Sequence, residues 1–362
     1  MSKKYFIDNI TDETLAELTD AMLRVEKNKK NNGGANIMKI VKILPAVAAV
    51  VLVIGVISFI SLFNIDLLTG GAGSDITTEN TQNVTTETVT EVIPEYIVIK
   101  GIRYSTELTK LELDSERLKD EDIEDLKYMV NLTELNLGDN QITDISPLAG
   151  LTNLTILYLG FNKISDISAL AELTNLTELQ LGLNQINDIS ILAELTNLKR
   201  LNLMTNQINN ITPLKELINL NELNLDINQI NDISALAGLK NLTYLYIGDN
   251  KISDISALAG LTNLTKLYLW KNQISDPGPL AALTNLTELS LEENPVNDIS
   301  ALAALTNLTW LNLENIKLDD ISALKGLTNL TGLNLKKTFL DVEQKRELKE
   351  ALPYTLIDFS NK

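Results

Sequence analysis

From Leu108 onward, leucine and polar residues recur in one arrangement, Leu-x-x-Leu-x-Leu-x-x-Asn. The pair Leu135/Leu137 returns as Leu157/Leu159, Leu179/Leu181, Leu201/Leu203 and Leu223/Leu225. It continues at Leu245/Ile247, Leu267/Leu269, Leu289/Leu291, Leu311/Leu313 and Leu333/Leu335, every step being 22 residues. Leu111/Leu113, 24 residues before the first regular pair, belongs to a looser opening unit. An unbroken period of this length calls for a solenoid, because one unit cannot bury its own leucines and neighbours must stack to do so. Within a unit the alternating leucines point inward from a short strand. The fold class expected is an α/β solenoid, a right-handed superhelix. Its parallel β-sheet lies on the concave face and short 3-10 or helical turns on the convex face.

The exposed ends of such a core need covers. Glu95 to Leu108, with the β-rich run Tyr96-Ile97-Val98-Ile99, is expected to cover the first unit. Asp341 to Leu352 carries a helix pattern stopped at Pro353, and Tyr354 to Phe359 reads as a last strand.

A different pattern precedes the repeats. Ile43 to Phe63 is an uncharged apolar run, long enough as a helix to span a bilayer. Lysines 27, 29, 30, 39 and 42 precede it, and Asp66, Asp75 and Glu79 follow. That asymmetry predicts a cytoplasmic N-terminus and an extracellular repeat domain. A cleaved signal peptide would have a shorter apolar region nearer the start, followed by a small-residue cleavage site, so a retained anchor is the reading taken. Thr11 to Lys30 reads as a helix with Leu15, Leu18, Met22 and Val25 on one stripe. It could dock a cytoplasmic partner or lie on the inner leaflet. Asp75 to Pro94 is rich in Thr and acids and cannot form a core. The organisation expected is a cytoplasmic segment over 1–38, a transmembrane signal-anchor helix over 39–63 and a disordered stalk over 64–94. A β cap over 95–107, about 11 repeats over 108–340 and a C-terminal cap over 341–362 complete it.

Composition narrows the function. The chain has no Cys and no His, so it has no thiolate, imidazole base, disulfide or Cys/His zinc site. Its formal net charge is -18. Residues 1–42 hold eight basic against six acidic side chains, so the acidity lies beyond them. Such a surface repels nucleic acid. No cofactor or metal is expected, and no enzyme: the acids recur by repeat position and form no unusual pair.

Two polar columns have structural explanations. Asn140, Asn162, Asn184, Asn206, Asn228, Asn250, Asn272 and Asn294 fall where the chain leaves each strand, and a buried amide there can satisfy backbone groups of adjacent turns. This column breaks at Ile316 and Thr338. Asp144, Asp166, Asp188, Asp232, Asp254, Asp276, Asp298 and Asp320, with Asn210 filling one place, form the second. Stacked carboxylates could hold calcium or cap the turns; the absence of a glycine-rich calcium loop favours capping. Pro147, Pro213 and Pro279 suit the first position of a short helical turn. The Asn-Leu-Thr triplets match a glycosylation pattern, but they follow the repeat and their leucine is core.

The string LTNLTELNL…NQI.DIS.LA. resembles the leucine-rich repeats of the internalin family of bacterial surface proteins. The resemblance covers residues 108–340 and implies a curved solenoid used to grip proteins. The N-terminal anchor and the lack of a wall-sorting motif or Gly-Trp module depart from that family.

The third, fifth, seventh and eighth places of the motif should project from the concave face. They hold Tyr158 and Phe161 in one unit, Tyr244 and Tyr246 in a later one, then Lys266, Tyr268, Trp270 and Lys271, and finally Trp310. Tyr246 and Tyr268 share a place in adjacent strands, so about 5 Å should separate them. The other units hold mainly Glu, Asn, Gly and Ser there, so the aromatics are not a default of the motif. The ligand-binding residues expected are Tyr158, Phe161, Tyr244, Tyr246, Lys266, Tyr268, Trp270 and Trp310, with Glu288, Glu292, Glu293 and Glu314 bordering them. The function expected is adhesion or recognition of a protein or other macromolecular ligand. The alternative is a transmembrane sensor signalling through the N-terminal helix.

Overall fold

A computed structural model describes residues 93–360. The expected helix over 11–30, the membrane anchor over 39–63 and the stalk up to residue 92 lie outside the described residues. Among the described residues no helix is long and apolar enough to cross a membrane.

The 22-residue period turns into one strand per unit because each unit exposes an apolar edge that only its neighbour can cover. The chain opens with an antiparallel hairpin, β1 (Tyr96–Ile99) and β2 (Ile102–Ser105). Lys100 and Gly101 turn it with positive φ at both positions, which suits the right-handed twist of the strands. Ile97 and Ile99 are buried against the first repeat.

A parallel sheet of twelve three-residue strands follows. It runs in chain order through β3 (Lys110–Glu112), β4 (Glu134–Asn136), β5 (Ile156–Tyr158), β6 (Glu178–Gln180), β7 (Arg200–Asn202) and β8 (Glu222–Asn224). It continues through β9 (Tyr244–Tyr246), β10 (Lys266–Tyr268), β11 (Glu288–Ser290), β12 (Trp310–Asn312), β13 (Gly332–Asn334) and β14 (Leu356–Asp358). Register is strict: Leu245 lies beside Leu267, Leu267 beside Leu289, and Tyr246 beside Tyr268. Each repeat leucine meets its equivalents above and below, and nearly all are fully buried.

Behind the sheet run short 3-10 turns such as Ser190–Glu194 and Ser234–Gly238. The Asp column starts them. Oδ1 of Asp144, Asp188, Asp254 and Asp298 each accepts the backbone N–H two residues on at 2.8 Å, and Asn210 does the same at 3.0 Å. These carboxylates are therefore engaged as turn caps. Pro147, Pro213 and Pro279 stand near the start of such turns.

The Asn column ties units together. Asn250 Nδ2 donates to the carbonyls of Leu225, Ile247 and Gly248 at 3.0, 3.3 and 3.0 Å, while its Oδ1 accepts from Ile230 N–H at 3.0 Å. Where the column breaks, Thr338 Oγ donates to the Leu335 carbonyl and Ile316 joins the core. A second Asn series, in the Asn-Leu-Thr triplets, also bonds between units: Asn153 Nδ2 reaches Val130 O at 2.9 Å and Asn263 Nδ2 reaches Lys240 O at 2.8 Å.

At the far end, Asp341 caps helix α1 (Val342–Ala351) reciprocally with Gln344, and Leu348 and Leu352 are buried. Strand β14 then pairs with β13.

Candidate binding face

One face of each three-residue strand goes to the leucine core, so the third and fifth places of the motif project from the other. Inter-strand bonds continue past the strand, as from Asp249 N–H to Trp270 O at 2.8 Å, and carry the seventh place on with it. The eighth place turns: Asp139, Phe161, Leu183, Asp249 and Lys271 all have φ between 46° and 59°. This left-handed turn recurs in every regular unit and is costly for residues other than glycine. Where an Asn follows, its side chain bonds to the preceding unit and to its own; the same turn is kept before Ile316 and Thr338.

Six of the eight expected residues come together. The rings of Tyr246 and Tyr268 stack with centroids 4.9 Å apart and planes 8° from parallel. Trp310 extends the stack, its centroid 6.0 Å from that of Tyr268 at a 40° tilt. Trp310 stands two strands beyond Tyr268, roughly 10 Å along the sheet. It closes that gap because the intervening fifth-place residue is Ser290, small and buried. Lys266 Nζ lies 5.5 Å from the centroid of the Tyr244 ring and 2.8 Å from Glu288 Oε1. Trp270 lies across Gly248 of the preceding unit, where a β-carbon would overlap the indole. All six side chains are half-buried.

The other two stand apart. Tyr158 is four strands from Tyr246, roughly 19 Å away. Its hydroxyl donates to Glu178 Oε1 at 3.0 Å, and Arg200 Nε donates to the other oxygen at 2.9 Å. Phe161 sits in the left-handed turn beyond β5 and is 44% exposed. Neither reaches the larger group.

Burial opposes ionisation of Glu288, yet bonds from Lys266 and the Tyr268 hydroxyl hold its carboxyl below the usual range. The Tyr268 hydroxyl is pushed up by burial and by that same carboxylate. Sequence reading missed Asp226. It occupies the seventh place two units before Trp270, and its Oδ1 accepts Gly248 N–H at 2.6 Å. Burial pushes its carboxyl up to about 7 against the backbone bond, with Asp249 adding repulsion. Its only sequence signal was an acid at a place that Gly fills in four units. On the other side of Trp270, burial also raises Glu292, whose partner is the Asn312 amide. Among the described residues no group of acids is arranged to hold a metal ion.

The leucine-rich-repeat family profile, two repeats to a match, fits residues 130–172, 174–216, 218–260 and 262–304. An internalin from Listeria monocytogenes is 36% identical, with a TM-score of 0.64 over 72% of this chain and 84% of that one. The chain belongs to the internalin-like family of leucine-rich-repeat proteins. Internalin C2 of the same organism is 44% identical, with a TM-score of 0.50 over 52% of this chain and 84% of that one. A leucine-rich-repeat protein of Leptospira interrogans is 26% identical, with a TM-score of 0.59 over 70% of this chain and 73% of that one. A comparison with curated proteins gave no match. In this internalin-like chain the leucine, Asn and Asp columns are the repeat's framework. The aromatic group over β9–β12 is superimposed on it.

Proposed function

We propose that this chain is a recognition module that binds a protein ligand on the exposed face of its repeat sheet. Its binding centre is formed by Tyr244, Tyr246, Lys266, Tyr268, Trp270 and Trp310. The observation that carries this reading is the continuous stack from Tyr246 through Tyr268 to Trp310. These rings are half-buried and lie on the side of the sheet away from the leucine core. Large aromatics presented on a rigid sheet are the usual anchors of protein interfaces. A surface of stacked short strands changes little on binding, so little ordering cost opposes association.

The proposal includes display outside the cell. The apolar run over 43–63 and the lysines before it support a single-pass anchor with the repeats extracellular. The sensor reading uses the same face and adds a cytoplasmic partner for residues 11–30; no described residue favours it.

The test is hydrogen exchange on the chain bound to a ligand captured with it. Protection should concentrate on residues 244–248, 266–271 and 310–314. Protection confined to the 3-10 turns, with none on these strands, would refute the assignment.

A further inference from the structure

The composition of this face changes along the sheet. From β8 to β12 the third, fifth, seventh and eighth places hold seven acids: Glu222, Asp226, Asp249, Glu288, Glu292, Glu293 and Glu314. They hold only two cations, Lys266 and Lys271. Both cations are already engaged, Lys266 with Glu288 and Lys271 with Asp249, each at 2.8 Å. Glu314 takes Lys337 from the next unit at 2.9 Å. Among the described residues, Glu222, Asp226, Glu292 and Glu293 have no salt-bridge partner.

Two of these four flank the aromatic group where water is most excluded. Asp226 and Glu292 share the seventh place with Trp270 and stand two units before and one unit after it. Burial raises both carboxyls: no cation offsets the rise at Asp226, and Lys336 and Lys337 of the next unit offset that at Glu292 only in part. The face also shows how it holds a cation. Lys266 sets its ammonium against the Tyr244 ring and the Glu288 carboxylate together. A ring face beside a carboxylate attracts a cation by both its quadrupole and its charge.

We propose that the ligand presents a basic segment to this face, with an arginine or lysine side chain seated against Trp270 and met by Glu292 and Asp226. Arginine fits better than lysine, because a planar guanidinium stacks on an indole while donating in its plane to carboxylates. This rests on the sheet face being the binding site and adds the chemistry of the partner. A carbohydrate would also stack on these rings, but it would not need the buried carboxyls of Asp226 and Glu292 on either side of them.

The test uses the full chain and three probes: a blocked hexa-arginine peptide, a blocked hexa-glutamate peptide and a neutral hexasaccharide. Tryptophan emission is titrated at pH 8 in low and in high salt. Hexa-arginine should bind with a salt-dependent affinity and hexa-glutamate should not bind. The double variant Glu292→Gln/Asp226→Asn should weaken hexa-arginine at least about tenfold. The control Glu172→Gln/Glu194→Gln, which removes the same charge at exposed positions by the 3-10 turns, should change affinity less than twofold. Equal losses in both variants would mean general attraction to an acidic surface and would overturn the proposal. Salt-independent binding of the hexasaccharide, untouched by Glu292→Gln, would also overturn it. If a captured protein ligand loses affinity with Trp270→Ala but not with Glu292→Gln/Asp226→Asn, the face is right and its basic partner wrong. If neither variant matters, the face itself is wrong.

Discussion

The indole of Trp270 lies flat across Gly248, so that a β-carbon at 248 would overlap its Nε1, Cε2 and Cδ1 atoms. Trp270 leans back one unit rather than standing out from its own strand, and Gly248 is the seat that allows it. Gly248→Ala should therefore lift the indole off the sheet. The leucine core lies on the other side of these strands and should be unaffected. We expect a red shift of tryptophan emission, unchanged far-UV circular dichroism and a stability loss of roughly 1–2 kcal/mol. Unchanged emission in Gly248→Ala would contradict this placement of the ring.

Asp226 makes stability depend on pH in a defined direction. Its folded carboxyl titrates at about 7 against an ordinary 3.8, so the folded state holds the proton more tightly than the unfolded one. The resulting stabilisation is fully present below about pH 4 and is lost as pH rises to about 7, with an upper bound of about 4 kcal/mol. Asp226→Asn keeps an acceptor oxygen for Gly248 N–H and removes the titration. The variant should match the parent near pH 4 and melt higher above pH 7. Glu178 and Glu288, whose carboxyls are held low, act in the opposite sense at lower pH in both proteins and cancel in the comparison. A melting difference independent of pH would show that Asp226 does not titrate as described.

The two polar columns should respond differently to truncation and not at all to chelators. Asn250→Ala removes three donor contacts and one acceptor contact between buried backbone groups, at a cost of roughly 3 kcal/mol. Asp254→Ala removes one exposed turn cap and should lower the melting temperature much less. Residues 93–360, which lie within one compact unit, should fold alone and melt at the same temperature with or without chelator. A large chelator effect would mean that the Asp column holds metal.

Much of this was legible in the sequence because a strict period places equal positions side by side. Tyr246 and Tyr268 are 22 residues apart at the same place, so their neighbourhood followed once the sheet was parallel and in register. The leucine, Asn and Asp columns were readable for the same reason. What could not be read depends on which way a side chain leans. The period placed Trp270 beside Gly248 but did not say that the ring would cover it. It gave no sign that Trp310 would cross Ser290 to reach Tyr268. The left-handed turn at Phe161 was not legible either, because it recurs at the eighth place of every regular unit whatever residue stands there or follows it. The Asn of the Asn-Leu-Thr triplets resembled a by-product of the repeat until its bond to the preceding unit was seen.

The anchor over 43–63 predicts a topology. Protease added to intact cells should release a fragment beginning between residues 64 and 94 and containing all the repeats. A chain wholly protected in intact cells, or a mature N-terminus after residue 66, would contradict a retained, outward-facing anchor.

The central claim is that the aromatic group over β9–β12 is the binding centre. The most direct measurement is the affinity of a captured protein ligand for the parent chain and for Tyr246→Ala/Trp270→Ala, with melting recorded on both. The account predicts at least about tenfold weaker binding with nearly unchanged melting, since anchors of this kind typically contribute about 2 kcal/mol or more each. Full affinity in the double variant, together with loss of binding on substitution of the 3-10 turns, would contradict it.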